Sequence, residues 1–359
     1  MDRIKLLIIF IVLILGYLLI ENTAVKECNS YIDNQKKAIE KTILSFELIK
    51  QEKERLGIKI EAEDLNSTGL IGSSEYLTEN SMLATTLGSL SAKRTSTNPH
   101  FSALMVKYFY DLGLKKGDIV VINSSGSFPA LLVQVMSAVE VMELKPIVMI
   151  SIGASIYGAT NSNYTLIDMY NVLLENKITS HPIDYWSFGG NMDIGTQFDN
   201  KLKQDLMVKY RDIPLIYEEN YLKNTNLRYA NFYAVGRPDV FINIGGNMVA
   251  LGRNNAVFNN KNGLIHKANP SINEDSGLID MFLNNRIPVI HLLDINELAM
   301  KERITVDPLP LVSENGGDIF YSVKYNQKLI AILLILSFIY IYYFSKVIKK
   351  RRKYVKKKI

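Results

Sequence analysis

Residues 116–152 read KGDIVVINSSGSFPALLVQVMSAVEVMELKPIVMISI. Lys116-Gly117-Asp118 turns the chain into an apolar run, IVVIN, at 119–123. A Ser/Gly loop, SSGS, follows at 124–127. Pro129 then opens a helix over 130–142, because its fixed φ and missing N–H suit a first helical position. A second apolar run, PIVMISI, occupies 146–152. Strand, loop, helix and strand in that order are the unit of a parallel sheet.

Two more stretches share this grammar. PDVFINIGGN at 238–247 is an apolar run ending in Gly-Gly, and IPVIHLLDINELAM at 287–300 passes from a short strand through His291 and Asp294 into a helix. Continuous apolar runs suit strands covered on both faces. A helix is expected over 99–112, with Asn98 as N-cap, Pro99 at the first position and Gly113 as C-cap. The stretch 161–231 is rich in Gly, Asn and aromatics and reads as long loops or a small subdomain. The expected fold class is α/β, a doubly wound, mostly parallel sheet domain between two terminal transmembrane helices.

The terminal segments are IKLLIIFIVLILGYLLI at 4–20 and LIAILLILSFIYIYYF at 329–344. A bilayer span needs about 17–25 residues. Arg3 and Lys5 flank the first segment, and nine cations from Lys346 to Lys358 follow the second. The positive-inside rule then puts both termini in the cytoplasm and the main domain outside. The organisation expected is an anchor at 4–20, a helical stalk at 21–56, an extracytoplasmic α/β domain at 57–327, a second span at 328–345 and a basic cytoplasmic tail at 346–359. A cleaved signal peptide is the alternative for the first segment, but ENTAVKEC after it offers no small-residue cleavage site. Cys28 follows Lys26 and Glu27, which do not fit a lipidation site.

The net charge of +5 misleads. Of the 41 Lys and Arg, two (Arg3 and Lys5) lie before residue 21 and ten lie from Lys328 onward; of the 36 Asp and Glu, only Asp2 lies outside 21–327. The central stretch therefore holds 29 cations against 35 anions. The basic tail can meet anionic lipid. An acidic domain does not attract nucleic acid by bulk charge, so any anion site must be local. A single cysteine excludes an intrachain disulfide and a cysteine-based metal site. No zinc-binding spacing occurs, and no cofactor is expected.

Ligands of open α/β sheets sit beyond the carboxyl ends of the strands. Four such ends carry polar or glycine residues: Ser124 to Ser127, Ser151 to Ser155 with Gly153 between, Gly245-Gly246, and His291. In Ser125-Gly126-Ser127 the backbone N–H groups and a following helix start can face an anion; a tight turn with Ser127 as N-cap is the plainer alternative. The loop matches neither a nucleotide P-loop nor a hydrolase elbow. Lys93 and Arg94, just before a helix start, form a second candidate anion site, with Arg94 able to fork onto a carboxylate. The anion candidates are Lys93, Arg94, Ser125, Gly126, Ser127, Gly153, Ser155, Gly245 and Gly246. For catalysis the candidates are Ser125 or Ser127 as nucleophile and His291 with Asp294 as base and acid, from residue availability alone. Trp186, beside Gly189-Gly190, is either a binding-loop or a packed residue.

Several segments, in order, resemble the poly-gamma-glutamate system protein family. They are Ala84–His100, Ser125 to Leu131, Leu144-Lys145-Pro146, Ile152 to Ala159, Leu166-Ile167-Asp168-Met169, Gly189 to Gly195, Asn243 to Gly246 and Pro288 to Leu292. The resemblance implies work with bacterial machinery that makes or exports poly-gamma-glutamate, alongside other membrane subunits. It supplies no catalytic residues, and the chain lacks the phosphate loop that an ATP-using polymer synthetase needs. Three roles follow as expectations. One is an accessory protein that handles the anionic polymer outside the membrane. Another is a serine hydrolase or transferase that trims, releases or attaches it. The third is a scaffold for the synthase subunits.

Overall fold

The computed structural model describes residues 2–356, apart from 80, 255–260, 267, 269 and 313–316; residues 357–359 of the expected basic tail lie outside the described residues. The chain divides into two compact units, one made from its two ends and one spanning Tyr31–Phe320.

In the first unit, helix α1 (Asp2–Asn22) leads into strand β1 (Val25–Cys28), and strand β10 (Tyr321–Lys324) leads into helix α12 (Gln327–Lys356). The strands pair antiparallel, with Val25 opposite Lys324 and Cys28 opposite Tyr321. Lys324 forms an ion pair with Glu27 on the neighbouring strand. Both helices therefore leave the same end of the ribbon, running in opposite directions. A Cβ on Gly16 would lie 2.6 Å from Cδ2 of Leu333, so the glycine permits close helix approach. Over Gln327–Lys346, α12 is long and apolar enough to cross a membrane, and none of that stretch is buried. The described apolar part of α1, Phe10–Asn22, is shorter.

The second unit contains α2 (Ile32–Arg55), β2 (Ala84–Thr86), α3 (Leu90–Ser96), α4 (His100–Asp111), β3 (Ile119–Ser125), α5 (Pro129–Val141), β4 (Lys145–Ser151), β5 (Ala154–Ser155) and α6 (Leu166–Glu175). It continues with β6 (Tyr185–Ser187), α7 (Asn200–Lys209), α8 (Tyr221–Phe232), β7 (Val240–Ile244), α9 (Met248–Leu251), β8 (Gly263–Ile265), α10 (Leu278–Asn284), β9 (Val289–Leu292) and α11 (Ile295–Lys301). The main sheet has the order β6-β4-β3-β7-β9-β8. Its pairs are parallel except β8 with β9. β2 and β5 form a separate parallel pair.

Side chains alternate across this sheet. Val120, Ile122, Val148, Ile150, Ile242 and Ile290 enter a core shared with α2, α4, α5 and α6. Val121, Ile147, Met149, Phe241 and Val289 enter a second core with residues of α8, α9 and α10. Helices thus cover both faces. The winding direction reverses between β3 and β7, where such folds open a crevice.

The expected stalk at 21–56 requires correction. Residues 21–22 end α1, 25–28 form β1, and 32–55 form a helix of the domain core, with Ala38, Ile39, Phe46 and Ile49 buried against the other helices. The spacing of Ile39, Phe46 and Ile49 marks a core-facing stripe. The stretch 161–231 does carry the expected loops, but it also holds regular elements of the main domain. It supplies α6, β6, α7 and α8, and Thr165 and Asp168 form a capping box at the start of α6. The helix expected over 99–112 is α4, with the Asn98 side chain accepting from the His100 N–H at 3.0 Å.

Candidate functional site

The four strand ends do meet. Gly126 N–H donates to the Ser151 and Gly153 carbonyls, at 2.9 and 3.1 Å. Gly153 N–H donates to the Phe188 carbonyl at 2.8 Å, and Gly245 N–H to the Leu292 carbonyl at 2.9 Å. Backbone packs directly on backbone here. A Cβ on Gly189 (φ +80°) would sit 2.7 Å from the Gly153 nitrogen, and one on Gly245 (φ +91°) 2.2 Å from Ser125 Oγ. Only glycine fits these approaches.

This packing corrects the expected anion cradle. The N–H groups of Gly126, Gly153 and Gly245 point at protein carbonyls. Ser125 Oγ donates to the Ile244 carbonyl at 3.4 Å, and Ser127 Oγ accepts from the Ser155 N–H at 3.0 Å. Gly246, at the end of this row, remains exposed. Arg94 is also engaged internally. Its Nε and Nη2 donate to the two Asp307 carboxylate oxygens at 2.7 and 2.5 Å, and this fork raises the guanidinium pKa. An incoming carboxylate has to displace Asp307.

The expected triad is corrected too. Buried His291 on β9 has Nδ1 3.1 Å from Asn243 Nδ2, so its partner is an amide and not a serine or carboxylate. Burial pushes the imidazole down to about 4, which keeps it neutral near pH 7. Asp294 caps α11 by accepting from the Glu297 N–H. Asn243 also accepts from Asn123 Nδ2 at 2.9 Å. Asn123, Asn243 and His291 therefore form a row across three adjacent strands on the face toward α8–α10.

A second polar row on that face is one that reading the sequence missed. Ser151 and Ser187 share a hydroxyl hydrogen bond at 2.9 Å. Asn247 Nδ2 donates to Ser151 Oγ at 2.8 Å and to Asp193 Oδ1 at 2.5 Å. Asp193 pairs with Arg228 of α8, whose Nε donates to Asn224 Oδ1 at 2.8 Å. A signal was present in the sequence: Tyr221, Asn224, Thr225, Arg228 and Phe232 follow helical spacing and all face inward. Trp186 is a packed residue, donating to the Ile213 carbonyl at 3.1 Å.

Lys93 has the most unusual surroundings. It is 2% exposed, on the last turn of α3. Its Nζ donates to the Ser127 carbonyl and lies 2.7 Å from Ser155 Oγ. The Phe128 ring lies beneath it, 4.3 Å from Nζ to the centroid. Burial alone pushes the amine down to about 7. Two sequence candidates, Lys93 and Ser155, are thus brought together, but as an amine beside a hydroxyl, not as a cationic surface patch.

Elsewhere, a polar cavity of about 470 Å³ is lined by Lys53, Lys59, Glu61, Gly72, Glu75 and Asn161 among others. Lys53 Nζ donates to the Gly69 carbonyl at 3.3 Å, and burial lowers its pKa. Among the described residues no cluster of His, Cys, Asp and Glu could hold a metal ion. Compared with known proteins, the chain matches no family model, no curated protein and no solved structure.

Proposed function

We propose that this chain is a membrane-tethered accessory component of a poly-gamma-glutamate system, with its α/β domain outside the membrane and both termini in the cytoplasm. The observation that carries the tether is the end-to-end unit. Two apolar helices run antiparallel from one ribbon, with exposed Phe10, Leu15, Leu19, Ile335, Phe338 and Ile341 along their sides. Exposed apolar surface of that extent suits lipid. The lysine- and arginine-rich sequence from Lys346 onward supports the cytoplasmic end. The link to the polymer rests on the sequence resemblance. Its contact is proposed at the cavity lined by Lys53, Lys59, Glu61 and Glu75, where the lysines can meet the polymer's carboxylates and the polar backbone its amides.

The full chain in detergent should co-sediment with poly-gamma-glutamate, and Lys59→Glu should weaken this several-fold. No co-sedimentation at low salt would overturn the polymer assignment. The tether is tested separately through Cys28, the only cysteine, which is exposed in β1. A membrane-impermeant maleimide should label it on spheroplasts without lysis. Labelling only after lysis would overturn the orientation.

A further inference from the structure

We propose that Ser155 and Lys93 form a nucleophile–base pair for acyl transfer at an amide carbonyl. The assignment of that amide to γ-glutamyl bonds rests on the polymer reading; the pair itself does not. The geometry comes first. Lys93 Nζ is 2.7 Å from Ser155 Oγ, within the reach a general base needs. Among the described residues no carboxylate partners the amine; its other neighbours there are the Ser127 carbonyl and the Phe128 ring.

Both groups are held from several directions. β2 and β5 pair so that Thr86 lies beside Ser155, and the Ile156 N–H donates to the Thr86 carbonyl at 3.0 Å. The Ser155 N–H is fixed by Ser127 Oγ at 3.0 Å. The serine is buried, at 9% exposure. Gly88 lies over it, and a Cβ there would stand 3.1 Å from Ser155 Oγ. With no side chain at Gly88, only backbone packs against the hydroxyl on that side. A lysine desolvated in this way carries a lone pair near neutral pH, which a solvated lysine does not.

The reaction balances with water as the only co-reactant. Neutral Lys93 takes the proton from Ser155 Oγ as oxygen bonds to the carbonyl carbon and the carbonyl π pair moves to its oxygen. Collapse of the tetrahedral species breaks the C–N bond, and the Lys93 ammonium gives its proton to the departing amine. Water, deprotonated by Lys93, then attacks the acyl ester; the C–Oγ bond breaks and Ser155 regains its proton from Lys93. An amine in place of water would give transfer instead of hydrolysis.

The test uses the full chain in detergent and a fluorophosphonate probe, with the adduct located by peptide mass spectrometry. Ser155 should be the residue labelled, with a rate that rises through a midpoint near pH 7. Ser155→Ala should abolish labelling. Lys93→Met should slow it by about 100-fold or more, and Lys93→Arg should not rescue it. Should Lys93→Met fail to fold, the wild-type pH profile and Ser155→Ala decide. An unlabelled Ser155 in folded protein, labelling at another serine only, or a rate flat between pH 5 and 9 would overturn the pair. Labelling of Ser155 in a chain that does not bind the polymer would keep the pair and discard its γ-glutamyl substrate.

Discussion

The Arg228 guanidinium donates to the Asp193 carboxylate in a pair whose side chains are both fully buried. Asp193 reaches that position from a loop with four further residues in the left-handed region: Gly189, Gly190, Met192 and Gly195, with Asp193 itself at φ 64°. Non-glycine residues there cost backbone energy. The pair and the Asn247 hydrogen bond hold the loop against that cost, tying α8 to the ends of β4 and β6.

Breaking the pair from one side leaves an unpaired buried charge. Asp193→Asn and Arg228→Met should each destabilise the domain by about 3–5 kcal/mol. The double variant should lose less than the sum, because the partners are coupled. Trp186, the only tryptophan and itself buried, reports unfolding by its fluorescence. Additive losses would show that the two side chains do not depend on each other.

Stability should rise with pH in two separate windows. His291 is depressed to about 4 in the folded protein, below an unfolded value near 6.5. The unfolded chain binds the extra proton between these values, so stability is lost as pH falls from about 6.5 toward 4. Lys93 is depressed to about 7 from 10.5. By the same sign its penalty is complete below about pH 7 and disappears as pH rises toward 10.5. His291→Gln should flatten the lower window and Lys93→Met the upper one, read from Trp186 melts. Unchanged slopes in both variants would contradict the burial of these groups.

The ribbon predicts a specific cross-link. Cys28 lies directly opposite Tyr321, and antiparallel partners have Cα atoms about 4.5–5.5 Å apart, within disulfide reach. Tyr321→Cys should therefore oxidise to an intrachain disulfide, detected as a mobility shift reversed by reductant. Lys324→Cys, which pairs with Val25, should not link to Cys28. Equal linkage in both variants would refute the register.

The β3–α5–β4 unit was legible because its apolar runs, Ser/Gly loop and Pro129 all indicate the same local structure. β6 was not, since three residues between polar loops carry no usable period. Lys93 and Arg94 read as one candidate anion site because the segment around them is polar and precedes a helix start. The structure separates them, one sealed under α3 and the other forked onto Asp307 from more than two hundred residues away. His291 was placed correctly at a strand end, but its partner comes from the neighbouring strand, which linear spacing does not reveal. Arg228 was overlooked because a cation on an inward helix face is recognisable only when its polar neighbours are counted as part of the buried stripe.

The β1–β10 ribbon also sets an order of assembly. Val25 is synthesised long before Lys324, its partner in the ribbon. Closing so long a loop comes late. Until then β1 is an open edge, able to pair with any exposed strand. A chain arrested before β10 keeps that edge, so products truncated before Tyr321 should be those that aggregate.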